Sequence, residues 1–108
     1  MDNRRKHQRY NVSLGAQLEA DGLRVKAHAD NLSEGGVRFS LDAPLLEGAP
    51  VKVDLTLSPT AGAIEASGTV VWCQEHMDVG FQAGVSFADL DAAARERLER
   101  FLASCKPI

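Results

Sequence analysis

The sequence predicts a mainly β fold: six antiparallel strands closed into a small barrel and followed by one C-terminal α-helix. Three observations carry this. Alternating apolar and polar residues recur from position 12 to position 87, turn-forming residues separate the runs, and the hydrophobic period changes only in the last twenty residues. Six strands of this length close most simply on themselves, because closure removes the unpaired edges that an open sheet leaves exposed.

Val12, Leu14, Ala16 and Leu18 alternate with Ser13, Gly15, Gln17 and Glu19, the pattern of a half-buried first strand. Asp21-Gly22 follows, a dipeptide suited to the two positive φ angles of a type I′ hairpin. The second strand returns through Leu23, Val25, Ala27 and Ala29, with Arg24, Lys26 and His28 facing outward. After a polar turn, Asn31-Leu32-Ser33-Glu34-Gly35-Gly36, a short third strand holds Val37, Phe39 and Leu41. The segment from Ala43-Pro44 to Ala49-Pro50 reads as a loop, since proline removes a ladder donor. Val51, Val53, Leu55 and Leu57 mark the fourth strand, a Pro59–Gly62 turn leads into the fifth from Ile64 to Cys73, and Val79, Phe81, Ala83, Val85 and Phe87 mark the sixth.

The final segment has helical period. Leu90, Ala94, Leu98, Phe101 and Leu102 fall on one face, with Arg95, Glu96, Glu99 and Arg100 opposite. Asp89 or Asp91 suits the N-cap, and Pro107 limits extension beyond Lys106. A lone amphipathic helix has to bury its stripe, most simply by plugging one end of the barrel. The expected organisation is one domain over 1–108: a flexible basic arm at 1–10, a barrel at 11–88 and a helix at 89–104.

Composition narrows the function. A chain of 108 residues with 44% hydrophobic and 25% charged content reads as one globular domain. No apolar run is long enough to span a bilayer, and the polar N-terminus is unlike a secretory signal, so the expected location is cytoplasmic. In that compartment Asn11-Val12-Ser13 and Asn31-Leu32-Ser33 are not glycosylation sites. Cys73 and Cys105 lack zinc or redox spacing, and His7, His28 and His76 lack metal-ligand spacing. No nucleophile–base arrangement is present, so no catalytic residue and no metal site is expected.

Charge is segregated. Residues 1–10 carry Arg4, Arg5, Lys6 and Arg9 against Asp2, a net of +3; the whole chain is −3, which leaves −6 beyond residue 10. Such a surface is a poor track for long nucleic acid, and no DNA partner is expected. Arginine grips phosphate with two parallel hydrogen bonds, reads the O6/N7 edge of guanine with the same fork and stacks on flat rings. The Asn31–Gly36 turn adds amide, hydroxyl and approachable backbone, its glycines permitting close approach or positive φ. Read alone, the arm is better taken as a solvated tail and the turn as an ordinary connection. Asp30 is placed to pair with an arginine of the arm. Trp72, the sole tryptophan, sits in a strand whose apolar partners would bury it, while an exposed face would offer a stacking surface.

Arg5-Lys6-His7-Gln8-Arg9 and Asn31-Leu32-Ser33-Glu34-Gly35-Gly36, in this order on a six-strand-plus-helix layout, resemble the PilZ domain family. The family's pattern is Arg-x-x-x-Arg in an N-terminal arm and Asp/Asn-x-Ser-x-x-Gly at a strand start. Val79–Phe87 and the following helix resemble its closing strand and helix. The resemblance implies a PilZ-like barrel of the split-barrel type and a bacterial receptor for cyclic di-GMP, a second messenger, without enzymatic activity. Arg5 and Arg9 would bind phosphates and guanine edges, with Arg4 a third contact that makes a stacked ligand pair plausible. Asn31, Ser33, Gly35 and Gly36 would lie under one guanine, and Trp72 would give a hydrophobic contact. Asparagine at 31, where aspartate is commoner, leaves any salt bridge with the arm to Asp30.

Cyclic di-GMP, one or a stacked pair per chain, and an unidentified downstream protein are thus the expected partners, for a monomer or homodimer acting as an adaptor. The alternatives are a PilZ-like protein-interaction domain that does not bind nucleotide, and a single-stranded nucleic-acid-binding barrel.

Overall fold

The computed structural model describes residues 8–78 and 80–105. Its element order is β1 (Tyr10–Ala20), β2 (Leu23–Leu32), β3 (Gly36–Leu41), β4 (Pro50–Ser58), β5 (Gly62–His76), β6 (Gly80–Asp89) and α1 (Ala92–Leu102). Every strand pair is antiparallel, and the order β1-β2-β3-β6-β5-β4 closes into a barrel. The predicted class is the observed one. β5 is longer than its apolar pattern indicated, continuing through Gln74, Glu75 and His76, whose side chains are exposed.

Local chemistry accounts for the hairpins and the helix start. Asp21 and Gly22 have φ of 53° and 77°, the left-handed pair that a two-residue type I′ turn needs. Asp91, of the two candidates, caps α1: its carboxylate accepts from the Ala94 amide at 2.8 Å.

The barrel interior is filled by the inward-facing set. Leu18, Ala29, Phe39, Val53, Leu55, Ile64, Val70 and Ala83 are buried in one cluster, which Ala94, Leu98 and Leu102 of α1 join. The helix packs along β5 and is tied there by Arg97, whose Nη1 donates to the Ala63 carbonyl at 3.0 Å. Burying the stripe on α1 therefore closes the core that the barrel begins.

Candidate functional site

Period two alone would send Asn31 and Trp72 into the core, in phase with Ala29 and Val70. Two β-bulges prevent this. In β2, Ala29 pairs with Phe39 and Asn31 with Arg38, so Asp30 is an extra residue between them. In β5, Val70 pairs with Val85 and Trp72 with Gly84, so Val71 is extra. Each bulge shifts the phase by one, so Asn31 and Trp72 line an outer cavity while Leu32 beyond the first returns to the core.

The result is a transverse row across four neighbouring strands. Asn31 pairs with Arg38, Arg38 with Gly84, and Gly84 with Trp72. This row crosses a cavity of about 570 Å³ that Arg9, Ser33, Gly35, Gly36, Val71 and Phe87 also line. Trp72 is half-buried, and its indole lies against Gly84: a Cβ added there would meet the ring nitrogen at 2.2 Å. A glycine at 84 is thus what lets the ring lie close against β6.

Six of the eight predicted site residues lie among the described residues. Arg9, just before β1, donates from Nη1 to Asn31 Oδ1 at 3.0 Å, so the arm's last arginine already meets the turn. Ser33 is buried, and its hydroxyl accepts from the Gly35 and Gly36 amides at 3.1 and 3.2 Å. Its own amide donates to the Gly36 carbonyl at 2.9 Å, closing the β2–β3 hairpin, and Gly35 accepts from Phe87 on β6. Ser33 therefore holds the shape of the turn as well as lining the cavity. Gly36 does not need positive φ; it needs closeness, since a Cβ there would meet the Val85 carbonyl oxygen at 2.3 Å. Arg4 and Arg5 lie outside the described residues, as does Val79.

Asp30 differs from its expected role. Its Oδ1 accepts from Arg38 Nε at 2.6 Å and its Oδ2 from Ser40 Oγ at 3.1 Å, so it orients a barrel arginine rather than one of the arm. The reason is the bulge, which turns Asp30 towards β3. Arg38 itself was missed by sequence reasoning. Its alternation with Val37 and Phe39 marks it as outward-facing, but nothing in that spacing says that its neighbour across β6 is a glycine.

Electrostatics set this cavity apart. Arg9 and Arg38 line it, and among the described residues no carboxylate does. A second cavity of about 380 Å³, on the outer face of β1, β4 and β5, is lined by Glu19, Asp54, Glu65, Asp89 and Asp91 against Arg24 and Lys52. In a chain of net charge −3, the first is a local concentration of positive charge beside an indole. At the cavity's margin, Glu34 of the turn reaches α1: its carboxyl hydrogen-bonds to that of Glu99 and holds Glu99 above the ordinary value of 4.5. Among the described residues no group of three or more His, Cys, Asp or Glu is placed to hold a metal, and no helix is long and apolar enough to cross a membrane.

The family model described as PilZ domain matches residues 3–104. Among solved structures, the chain is similar to the Bacillus subtilis inhibitor of motility MotI/DgrA, with TM-score 0.80, 16% identity, and coverage of 93% of this chain and 50% of that one. It is similar to the PilZ domain with c-di-GMP of YcgR from Escherichia coli, with TM-score 0.75, 16% identity and coverage of 94% and 90%. A third is the K. pneumonia MrkH–c-di-GMP complex, with TM-score 0.68, 18% identity and coverage of 95% and 52%. The chain spans about half the length of MotI/DgrA and of MrkH. At these identities the likeness is one of fold. No curated protein matches the chain's sequence.

Proposed function

We propose that this chain, which belongs to the PilZ domain family, is a receptor for cyclic di-GMP, without enzymatic activity, that passes the signal on by changing its surface. The observation that carries this reading is the sign and shape of the first cavity: two guanidiniums, an indole and, among the described residues, no lining carboxylate. A cyclic dinucleotide offers the complement, two phosphates and two aromatic bases. The c-di-GMP named for the YcgR and MrkH structures supports the same ligand here.

In this reading Arg9 grips a phosphate or guanine edge from its post on Asn31, and Arg5, four residues earlier, supplies the second fork. Trp72 supports a base by stacking, and the Ser33-braced turn lies beneath a guanine. Arg4 engages a second, stacked ligand. Gathering four cations of the arm around a dianion removes their mutual repulsion and fixes the arm across the barrel, at a cost of about 1–2 kcal/mol per ordered residue. The surface formed by arm and barrel together is what a downstream protein reads. This is the behaviour of a cytoplasmic adaptor in bacterial second-messenger signalling.

Isothermal titration with cyclic di-GMP tests it. Wild type should bind, and Arg5→Ala and Arg9→Ala should each lose about 2 kcal/mol, roughly thirtyfold in Kd, because each removes a charge-assisted contact. Arg4→Ala should lower the ligand-to-chain ratio from two to one. Absence of binding by wild type, or unchanged affinity in both single variants, would falsify the receptor reading.

A further inference from the structure

Arg38 is the arginine of the cavity that belongs to the barrel wall rather than the arm. Its Nε donates to Asp30 Oδ1 at 2.6 Å, and Asp30's other oxygen accepts from Ser40 at 3.1 Å. The carboxylate is thereby held at both oxygens, and it anchors the guanidinium at Nε. No described residue accepts from the two terminal amino groups of Arg38, and its side chain keeps 40% of its exposure. With Nε engaged, the end-on fork of Arg38 is what is left for the cavity that it lines.

What stands across from that fork decides what it reads. Arg38 pairs with Gly84, and Gly84 with Trp72, whose ring lies over the glycine. Two strand spacings separate the backbones of Arg38 and Trp72, about 10 Å. A base stacked on the indole therefore turns an edge towards the fork. Two parallel N–H donors match two acceptors on that edge, and guanine O6 and N7 are such a pair, whereas adenine offers N7 beside a 6-amino donor.

We propose that Arg38 is the guanine-selecting residue of this cavity, held in position by Asp30 from the β2 bulge. The assignment rests on the cyclic dinucleotide reading above and adds to it a base-reading group on the barrel wall, outside both sequence motifs. Asp30 is a positioning residue that acts through Arg38.

The test is isothermal titration of wild type, Arg38→Ala, Arg38→Lys and Asp30→Asn with cyclic di-GMP, cyclic di-IMP and cyclic di-AMP. Hypoxanthine keeps O6 and N7, so wild type should bind the first two ligands alike and cyclic di-AMP at least about tenfold more weakly. Arg38→Ala should lose about ten- to a hundredfold for the guanine and hypoxanthine ligands, collapsing the preference over adenine. Arg38→Lys keeps the charge but not the fork, so its preference should fall while cyclic di-AMP affinity holds. Asp30→Asn should lower the preference in the same direction, and the Asp30/Arg38 double variant should be no worse than Arg38→Ala alone. If Arg38→Ala fails to fold, the lysine and asparagine variants carry the comparison. Retained preference in the Arg38 variants, or an equal loss for all three ligands, overturns the assignment while leaving the receptor reading intact. Failure of wild type to bind any of the three overturns both.

Discussion

The Ser33 hydroxyl accepts from two consecutive amides, one of them on buried Gly36. Ser33→Ala leaves those donors without their acceptor, and a buried donor so orphaned costs about 1–3 kcal/mol. Urea unfolding should show a loss in that range, with the slope unchanged. Gly84 makes the opposite kind of demand. A methyl group there meets the Trp72 ring, so Gly84→Ala has to displace the indole from β6. Because Trp72 is the only tryptophan, its fluorescence reports this directly: the emission should shift to the red as the ring leaves its seat, and affinity for cyclic di-GMP should fall. An unchanged spectrum with unchanged affinity would contradict the placement of the ring.

Among the elements, the two bulges explain why part of the site was legible and part was not. Arg9, Asn31, Ser33 and Gly36 announce themselves by chemistry, since a fork of cations and a glycine-rich polar turn are unusual against alternating strands. Arg38, Val71 and the seat of Trp72 depend on one extra residue in β2 and one in β5, and a period-two pattern carries no mark of an insertion that shifts register. Asp30 was misjudged for the same reason, its partner being set by the bulge rather than by nearness to the arm. The helix was more readable, because capping and period are local. Asp91→Ala should cost about 1 kcal/mol in thermal or urea unfolding by removing the carboxylate that accepts from Ala94.

The contact between the turn and α1 has a pH signature. Glu99 is raised above 4.5, first by its hydrogen bond with the Glu34 carboxyl, so the folded chain holds that proton to higher pH than the unfolded chain does. The contribution is fully present below the unfolded value and is lost as pH rises through the folded one. Glu99→Gln, which keeps a donor without the charge, should flatten that part of the stability–pH profile. The effect will be small, since the pair is solvent-exposed and screened.

At the scale of the whole molecule, closure of six strands removes every sheet edge, so recognition falls to outer faces and rims rather than to strand addition. The fold class followed from alternation, hairpin dipeptides and the change of period at the helix, whereas the strand order around the barrel is seen only in the structure. The two outer cavities, one cationic and one dominated by carboxylates, emerge only when the strands are rolled together. That division of charge is the basis for assigning a dianionic ligand to one face. The most direct measurement is an amide and indole NMR titration of the ¹⁵N-labelled chain with cyclic di-GMP. The assignment predicts saturable shifts at Arg9, Asn31, Ser33, Arg38, Gly84 and the Trp72 indole N–H, with the Glu19–Asp54–Glu65 face unmoved. No shifts at saturating ligand, or shifts centred on the carboxylate-lined face, would contradict it.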